Sequence, residues 1–216
     1  MKVVVVVGLF CYPMLFIRAQ EDYSENLWAS ISVKQQITEK NSVMLDGGMR
    51  TYAHFVLKPR VSFIRLTAEN KLNNQHFLAV GYAFFGQFER KESWRLIPEN
   101  RVFFQYRTEI ATEQHVLQLR VRNEVRYFSK KQEFKDRLRL QAVYKFRLKQ
   151  WLTPFVSAEG FVTPGKNSLT EQRYAIGIQT SINNYLQTVI AYTLQTQSNY
   201  IGIQNIISLQ AQINLK

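Results

Sequence analysis

The chain has a single cysteine and three histidines in 216 residues. The lone cysteine excludes a disulfide framework and a cysteine-based metal cluster, and three imidazoles leave little material for a histidine-rich metal centre. Glycine (9) and proline (5) are scarce, which excludes collagen-like and low-complexity chains; a hydrophobic content of 46% excludes a disordered one. Acids are also few. Sixteen Asp and Glu stand against 28 Lys and Arg, for a formal net charge of +12. Neither Gly-x-Ser-x-Gly nor His-Glu-x-x-His occurs. Beyond Gln20 no segment offers the roughly 18 successive apolar residues of a transmembrane helix. What remains is a basic chain with 13% aromatics, long enough for one domain or two small ones.

One hydrophobic run stands at the start. Met1-Lys2 precedes Val3–Ile17, which is apolar apart from Gly8, Cys11, Tyr12 and Pro13, and Arg18-Ala19-Gln20-Glu21-Asp22 follows. A positive charge, an apolar stretch and a small residue before a polar segment form the pattern of a secretory signal peptide. Cleavage is expected after Ala19, leaving residues 20–216 as the mature domain. An uncleaved anchor is the alternative, but the run is shorter than the roughly 20 residues that span a bilayer, and Pro13 lies inside it. Bulky Phe10 before Cys11 argues against a lipid-modified cysteine.

The rest of the chain alternates with period 2. Ile207, Leu209, Ala211, Ile213 and Leu215 interleave with Ser208, Gln210, Gln212, Asn214 and Lys216. Leu117, Leu119, Val121 and Val125 interleave with Gln118, Arg120, Arg122, Glu124 and Arg126. Successive side chains on a strand point to opposite faces, so each strand has one apolar and one polar face. This reading places strands near 27–37, 42–52, 56–67, 75–88, 100–111, 114–128, 134–149, 152–162, 171–182, 186–197 and 205–215. Tight links at Thr38–Asn41, Ala111–Glu113, Gln150–Trp151 and Asn183-Asn184 alternate with longer ones at Glu89–Glu99, Thr163–Thr170 and Ser198–Gln204, the rhythm of consecutive hairpins.

Two folds accommodate such strands. A soluble sandwich or lipocalin-like barrel turns its polar faces to water; an outer-membrane barrel turns its apolar faces to lipid and its polar faces to the lumen. Strands of ten or more residues suit a tilted membrane crossing. Trp28, Tyr52, Tyr106, Tyr127, Trp151, Tyr174, Tyr185 and Tyr192 fall near strand ends, as an interfacial girdle requires. Together with the export signal, these features give the expected fold class: an all-β, antiparallel up-and-down transmembrane β-barrel of ten to twelve strands. The segments number eleven, but single-chain bacterial barrels usually have an even count, so twelve is preferred, with residues 20–27 supplying a short strand or a luminal plug.

Glu99-x-Arg101, Arg120-x-Arg122-x-Glu124-x-Arg126, Arg137-x-Arg139, Glu159 and Arg173 follow one another at strand spacing, with Trp28 upstream. From about Trp28 to Leu215 the chain resembles the family known as domain of unknown function 2490. The resemblance implies a small outer-membrane β-barrel of a Gram-negative bacterium and carries no established activity.

The inward positions of the central strands form one charged field. Its bases are Arg101, Arg107, Arg120, Arg122, Arg126, Arg137, Arg139, Lys145, Arg147 and Arg173. Its acids are Glu109, Glu124 and Glu159. Ten against three leaves an excess of seven positive charges. Arginine presents a permanently charged planar fork for carboxylate or phosphate. Two readings follow: a narrow anion-preferring pore or binding cavity for small anionic solutes, or a non-conducting structural or assembly-accessory barrel filled by ion pairs. An outer-membrane hydrolase is disfavoured, because His54, His76 and His115 form no catalytic pattern. The bases lie on alternating strand positions of an exported chain, which argues against nucleic acid. Outer-membrane lipids are the expected partners; no catalytic residue, cofactor or metal is expected. The neutral segment Tyr174–Leu215, rich in Gln, Asn, Ser and Thr, is expected as an uncharged stretch of lumen wall.

Overall fold

The computed structural model describes residues 24–51, 59–89, 95–164, 169–198 and 200–215. The expected signal peptide and its cleavage site, Tyr52 and His54 lie outside the described residues. Eleven strands follow in chain order: β1 (Ser24–Gln36), β2 (Asn41–Thr51), β3 (Pro59–Lys71), β4 (His76–Glu89), β5 (Arg95–Ala111), β6 (His115–Phe128), β7 (Glu133–Phe146), β8 (Leu152–Val162), β9 (Leu169–Ser181), β10 (Leu186–Gln197) and β11 (Tyr200–Leu215). They close into a barrel in which each strand pairs with its chain neighbours.

Small polar side chains close the tight turns at one end. The Asn73 side-chain oxygen accepts hydrogen bonds from the amides of Gln75 and His76 at 2.8 and 2.9 Å. Asn183 does the same for Tyr185 and Leu186, both at 2.8 Å. The Thr38 and Thr112 hydroxyls accept from the amides of Asn41 and His115, each at 3.0 Å. Asn and Thr mimic a backbone turn in this way, so the hairpins read from polar clusters between apolar runs have a local cause.

The strand count is eleven, not the preferred twelve. Residues 24–27 belong to β1 and form neither a separate strand nor a plug. An odd number in an up-and-down order makes the first and last strands run the same way. β1 and β11 accordingly pair in parallel, from Ser24 opposite Gln204 to Gln35 opposite Leu215. Every other neighbouring pair is antiparallel. Two expected loops are shorter than read: Arg95–Glu99 extends β5 and Tyr200–Gln204 extends β11.

The alternation has one sense throughout. Each of the eleven strands exposes a large apolar side chain on the outer surface, among them Ile31, Leu45, Ile64, Val80, Val102, Leu119, Leu140, Val156, Ile176, Ile190 and Leu209. The polar positions turn inward, where Asp46, Glu99, Arg122, Glu124 and Glu159 are buried. Three inward glycines each stand directly opposite an inward phenylalanine: Gly48 with Phe63, Gly81 with Phe103, and Gly177 with Phe155. A Cβ on Gly48 would come within 2.7 Å of the Phe63 ring, and one on Gly177 within 2.6 Å of the Phe155 ring. Each ring thus lies across its neighbour's bare backbone, a cross-strand device that covers glycine and lets the wall curve.

Candidate functional site

Three carboxylates organise the interior, each shared by several guanidiniums. Glu99 on β5, with no solvent exposure, accepts from Arg101 at 2.8 Å and from Arg126 at 2.6 Å. Glu124 on β6 accepts from Arg137 at 2.6 Å and Arg139 at 2.7 Å, with Arg122 at 3.7 Å. Glu159 on β8 accepts from Arg120 at 2.7 Å and Arg139 at 2.8 Å, with Arg173 at 3.7 Å. Glu159 therefore reaches, from β8, the arginines of β6 and β7. A buried charge is tolerated when it is paired and its remaining hydrogen-bond capacity is used. Arg122 also donates from Nε and Nη2 to the Gln105 side-chain oxygen at 2.9 and 2.6 Å.

Aromatic rings support these forks from behind. Arg101 lies 3.6 Å over Phe85 and Arg122 lies 4.3 Å over Phe103. Arg137, Arg139 and Arg173 gather over Phe161 at 4.9, 4.9 and 4.6 Å. Cation–π attraction contributes about 0.5–2 kcal/mol per contact, the upper figure where water is excluded.

Further pairs lie toward the tight-turn end. Arg107 bridges Glu69 and Glu109 at 3.0 Å each, and Glu69 also takes Lys34 at 3.3 Å. Asp46 accepts from Arg65 at 3.0 Å and from the Ser32 hydroxyl at 2.7 Å. Lys145 donates to the Gln179 side chain at 3.2 Å. At the opposite end, with the longer connections, Arg173 pairs with Glu171 and donates to Gln195 at 2.9 Å. Lys34, Asp46, Arg50, Arg65, Glu69, Glu99 and Glu171 thus join the charged interior, although the field read from the central strands omitted them. Their signal was present: each shares the inward parity of its own strand.

Arg147 departs from expectation. It lies beyond the end of β7, exposed at the rim, and donates from Nη1 to the carbonyl of Thr112 at 3.0 Å. Trp28 departs as well. It belongs to the lumen and not to an outer girdle, whereas Tyr106, Trp151, Tyr185 and Tyr192 are exposed. His76 and His115 carry no luminal chemistry. Their Nδ1 atoms meet the hydroxyls of Tyr106 and Tyr144, each at 2.7 Å, near the tight-turn rim. The neutral wall is present on β9–β11, where Gln195 bonds Gln204 at 3.4 Å and Gln179 bonds Gln187 at 3.3 Å.

Among the described residues the interior has a cavity of about 310 Å³ toward the end with the longer connections and another of about 380 Å³ toward the tight turns. Nine arginines line the first against two acids, Glu124 and Glu171. Across both cavities, eleven bases face four lining acids, and Glu99, buried beneath Arg101 and Arg126, offsets one more base. The expected excess of seven becomes six, on a different membership. Trp28, Arg50, Phe63, Arg65, Arg139 and Arg173 line both cavities and form the waist between them. There the Trp28 ring has Arg50 at 4.1 Å and Arg173 at 4.9 Å over it.

A family model described as "Protein of unknown function (DUF2490)" matches residues 25–205, a span that begins at β1 and ends within β11. The chain belongs to that family. No curated protein matches it. In this DUF2490 barrel the matched span includes all three shared carboxylates, the waist and the arginines around them. Among the described residues no group of three or more His, Cys, Asp or Glu side chains is placed to hold a metal ion.

Proposed function

We propose that this DUF2490 chain is an exported outer-membrane barrel whose lumen admits and selects small anions. The observation that carries this reading is the pairing of an apolar outer surface with a cavity that nine arginines line against two acids. The outer side chains suit lipid better than water: burying one of their size stabilises by about 1.5–3 kcal/mol. Inside, the wall keeps more positive charge than its carboxylates neutralise. A lumen with that balance favours anions, as rings of Arg and Lys do in anion pores. Two measurements test it. The mature protein should fractionate with the outer membrane and change gel mobility on boiling in detergent. In a planar bilayer under a salt gradient its reversal potential should favour the anion. Recovery as a soluble periplasmic protein with ordinary mobility overturns the membrane reading.

A second reading has its own observation. Glu99, Glu124 and Glu159 each bind two or three guanidiniums, a pattern that also serves a closed structural column. A well-folded membrane-inserted protein that neither conducts nor binds anions selects that alternative, a structural or assembly-accessory barrel.

A further inference from the structure

The waist distinguishes one arginine from the rest. Arg101 and Arg126 are held by Glu99, Arg137 by Glu124, Arg139 by Glu124 and Glu159, Arg173 by Glu171 and Gln195, and Arg65 by Asp46. Arg50 has no such partner: among the described residues no carboxylate lies within ion-pair distance of it. Its guanidinium lies over the face of Trp28, its direct cross-strand neighbour from β1. A ring beneath a guanidinium interacts with the face of the cation and leaves the N–H donors, which radiate in its plane, unused. Arg50 lines both cavities. The other arginines that line both cavities are Arg65, Arg139 and Arg173, and each of these three already has a carboxylate partner.

We propose that Arg50, oriented by Trp28, is the centre of a phosphate-binding site at the waist of the lumen, and that its ligand is a soluble phosphate monoester or inorganic phosphate. This rests on the reading of the lumen as an anion compartment and names its substrate class. A planar fork with free donors fits two oxygens of a tetrahedral oxyanion side by side, a match that a spherical halide lacks. A dianion also suits a place where three other guanidiniums converge. The adjoining cavity of about 310 Å³ has the volume of roughly ten water molecules. That leaves room beside the phosphate for a small organic group. The waist lies between two luminal cavities, which favours a soluble phosphate over a lipid headgroup.

Trp28 supplies the readout. The chain has three tryptophans, so Trp94→Phe with Trp151→Phe leaves Trp28 as the sole indole emitter. The full mature protein, folded in zwitterionic detergent, is titrated with inorganic phosphate against chloride at constant ionic strength. A saturable change in Trp28 emission is expected with phosphate and not with chloride. Arg50→Gln should weaken the apparent affinity at least tenfold, and Arg50→Lys, which keeps the charge without the fork, by an intermediate factor. Arg147→Gln, at the rim, should leave it within twofold. Unchanged heat-dependent gel mobility certifies the fold of each variant. Phosphate binding as tight in Arg50→Gln as in the parent, or no saturable response in the parent, overturns the site. A parent that prefers anions in the bilayer yet gives no phosphate response defeats the site and leaves the anion lumen standing; a parent with neither property defeats both. A response seen with phosphatidylglycerol-doped micelles and absent with inorganic phosphate assigns the ligand to lipid and overturns the soluble source.

Discussion

Glu124→Gln tests whether the lumen is held by its shared carboxylates. Glu124 is 2% exposed and accepts from Arg137 Nη2 at 2.6 Å, Arg137 Nε at 3.0 Å and Arg139 Nη1 at 2.7 Å. Removing one partner from a buried pair costs about 3–5 kcal/mol, because the other charge stays buried without compensation. Two features place this case at the low end. Arg139 keeps Glu159 at 2.8 Å, and Arg137 borders a cavity that water can enter. The substituted amide also still offers one oxygen. The expected cost is therefore about 3 kcal/mol. Glu133→Gln is the control: its pair with Lys135, at 3.3 Å, has side chains 45% and 42% exposed, where a bridge is worth about 0–1 kcal/mol. Urea unfolding of the reconstituted barrel, followed by loss of the fast-migrating gel form, compares the two. The double variant Glu124→Gln/Arg137→Gln should recover about 1–2 kcal/mol of the loss by removing the stranded cation, a coupling in the range seen for charges in contact. A cost for Glu124→Gln below about 1 kcal/mol, or one that Arg137→Gln leaves unchanged, would refute the claim that these charges are desolvated and interdependent.

Other perturbations address other parts of the molecule. Leu140→Arg, on the outer face, should cost about 2–4 kcal/mol in bilayers and Gln141→Arg, which faces the lumen one residue later, much less; equal costs in the same urea titration would mean that the two faces are misassigned. Gly81→Ala places a methyl group on the Phe103 ring and near the Leu66 carbonyl, so an overpacking cost of about 1–3 kcal/mol is expected, and wild-type stability would show that the ring moves freely. Because Phe103 supports Arg122, the same variant should also alter the anion preference measured in a planar bilayer. Arg147→Gln should change stability by less than about 0.5 kcal/mol, as surface substitutions do; a larger loss would restore this residue to the luminal network.

The strands were legible because period-2 alternation is a local signal, and the alternation of Ile207–Leu215 with Ser208–Asn214 is read directly as two faces of β11. The limits of the elements were less legible where the signal was interrupted. Pro98 breaks the pattern just before Glu99, so Glu99 read as loop, yet it pairs with Gln87 and Arg126 from the flanking strands. Arg147 shows the opposite failure. Its parity continues that of Lys145, but the chain has already turned, with the Leu148 amide bonded to the Leu152 carbonyl at 3.1 Å. The partners of the luminal charges depend on register across several strands. Glu69 meets Arg107 from two strands away, and no local pattern states that meeting. Trp28 near a strand start fits an interfacial girdle by position, but its parity with Ser30 and Ser32 sends it inside. Parity decides the outcome, as it does for Asp46, Arg50, Arg65 and Glu69 on the strands that follow.

The parallel closure of β1 with β11 has a consequence for how the barrel is made. Each of the other ten ladders joins strands consecutive in the chain, so a nearby connection limits its register. The closing ladder joins Ser24 to Gln204, the two ends of the fold, with no turn to align them. Its register rests on side chains alone, Trp28 beside Ser208 inside and Ile31 beside Ala211 outside, and a slip of one residue would reverse both faces. Non-local pairing of this kind carries the largest loop-closure entropy in the molecule. The seam should therefore zip last, after a curved sheet of ten hairpin-linked ladders has formed with β1 and β11 as open edges. Until then those edges can template a foreign strand. A synthetic peptide spanning Tyr200–Leu215, present during refolding, should pair with the free edge of β1 and trap the sheet open, and the same peptide should have no effect once the seam has closed.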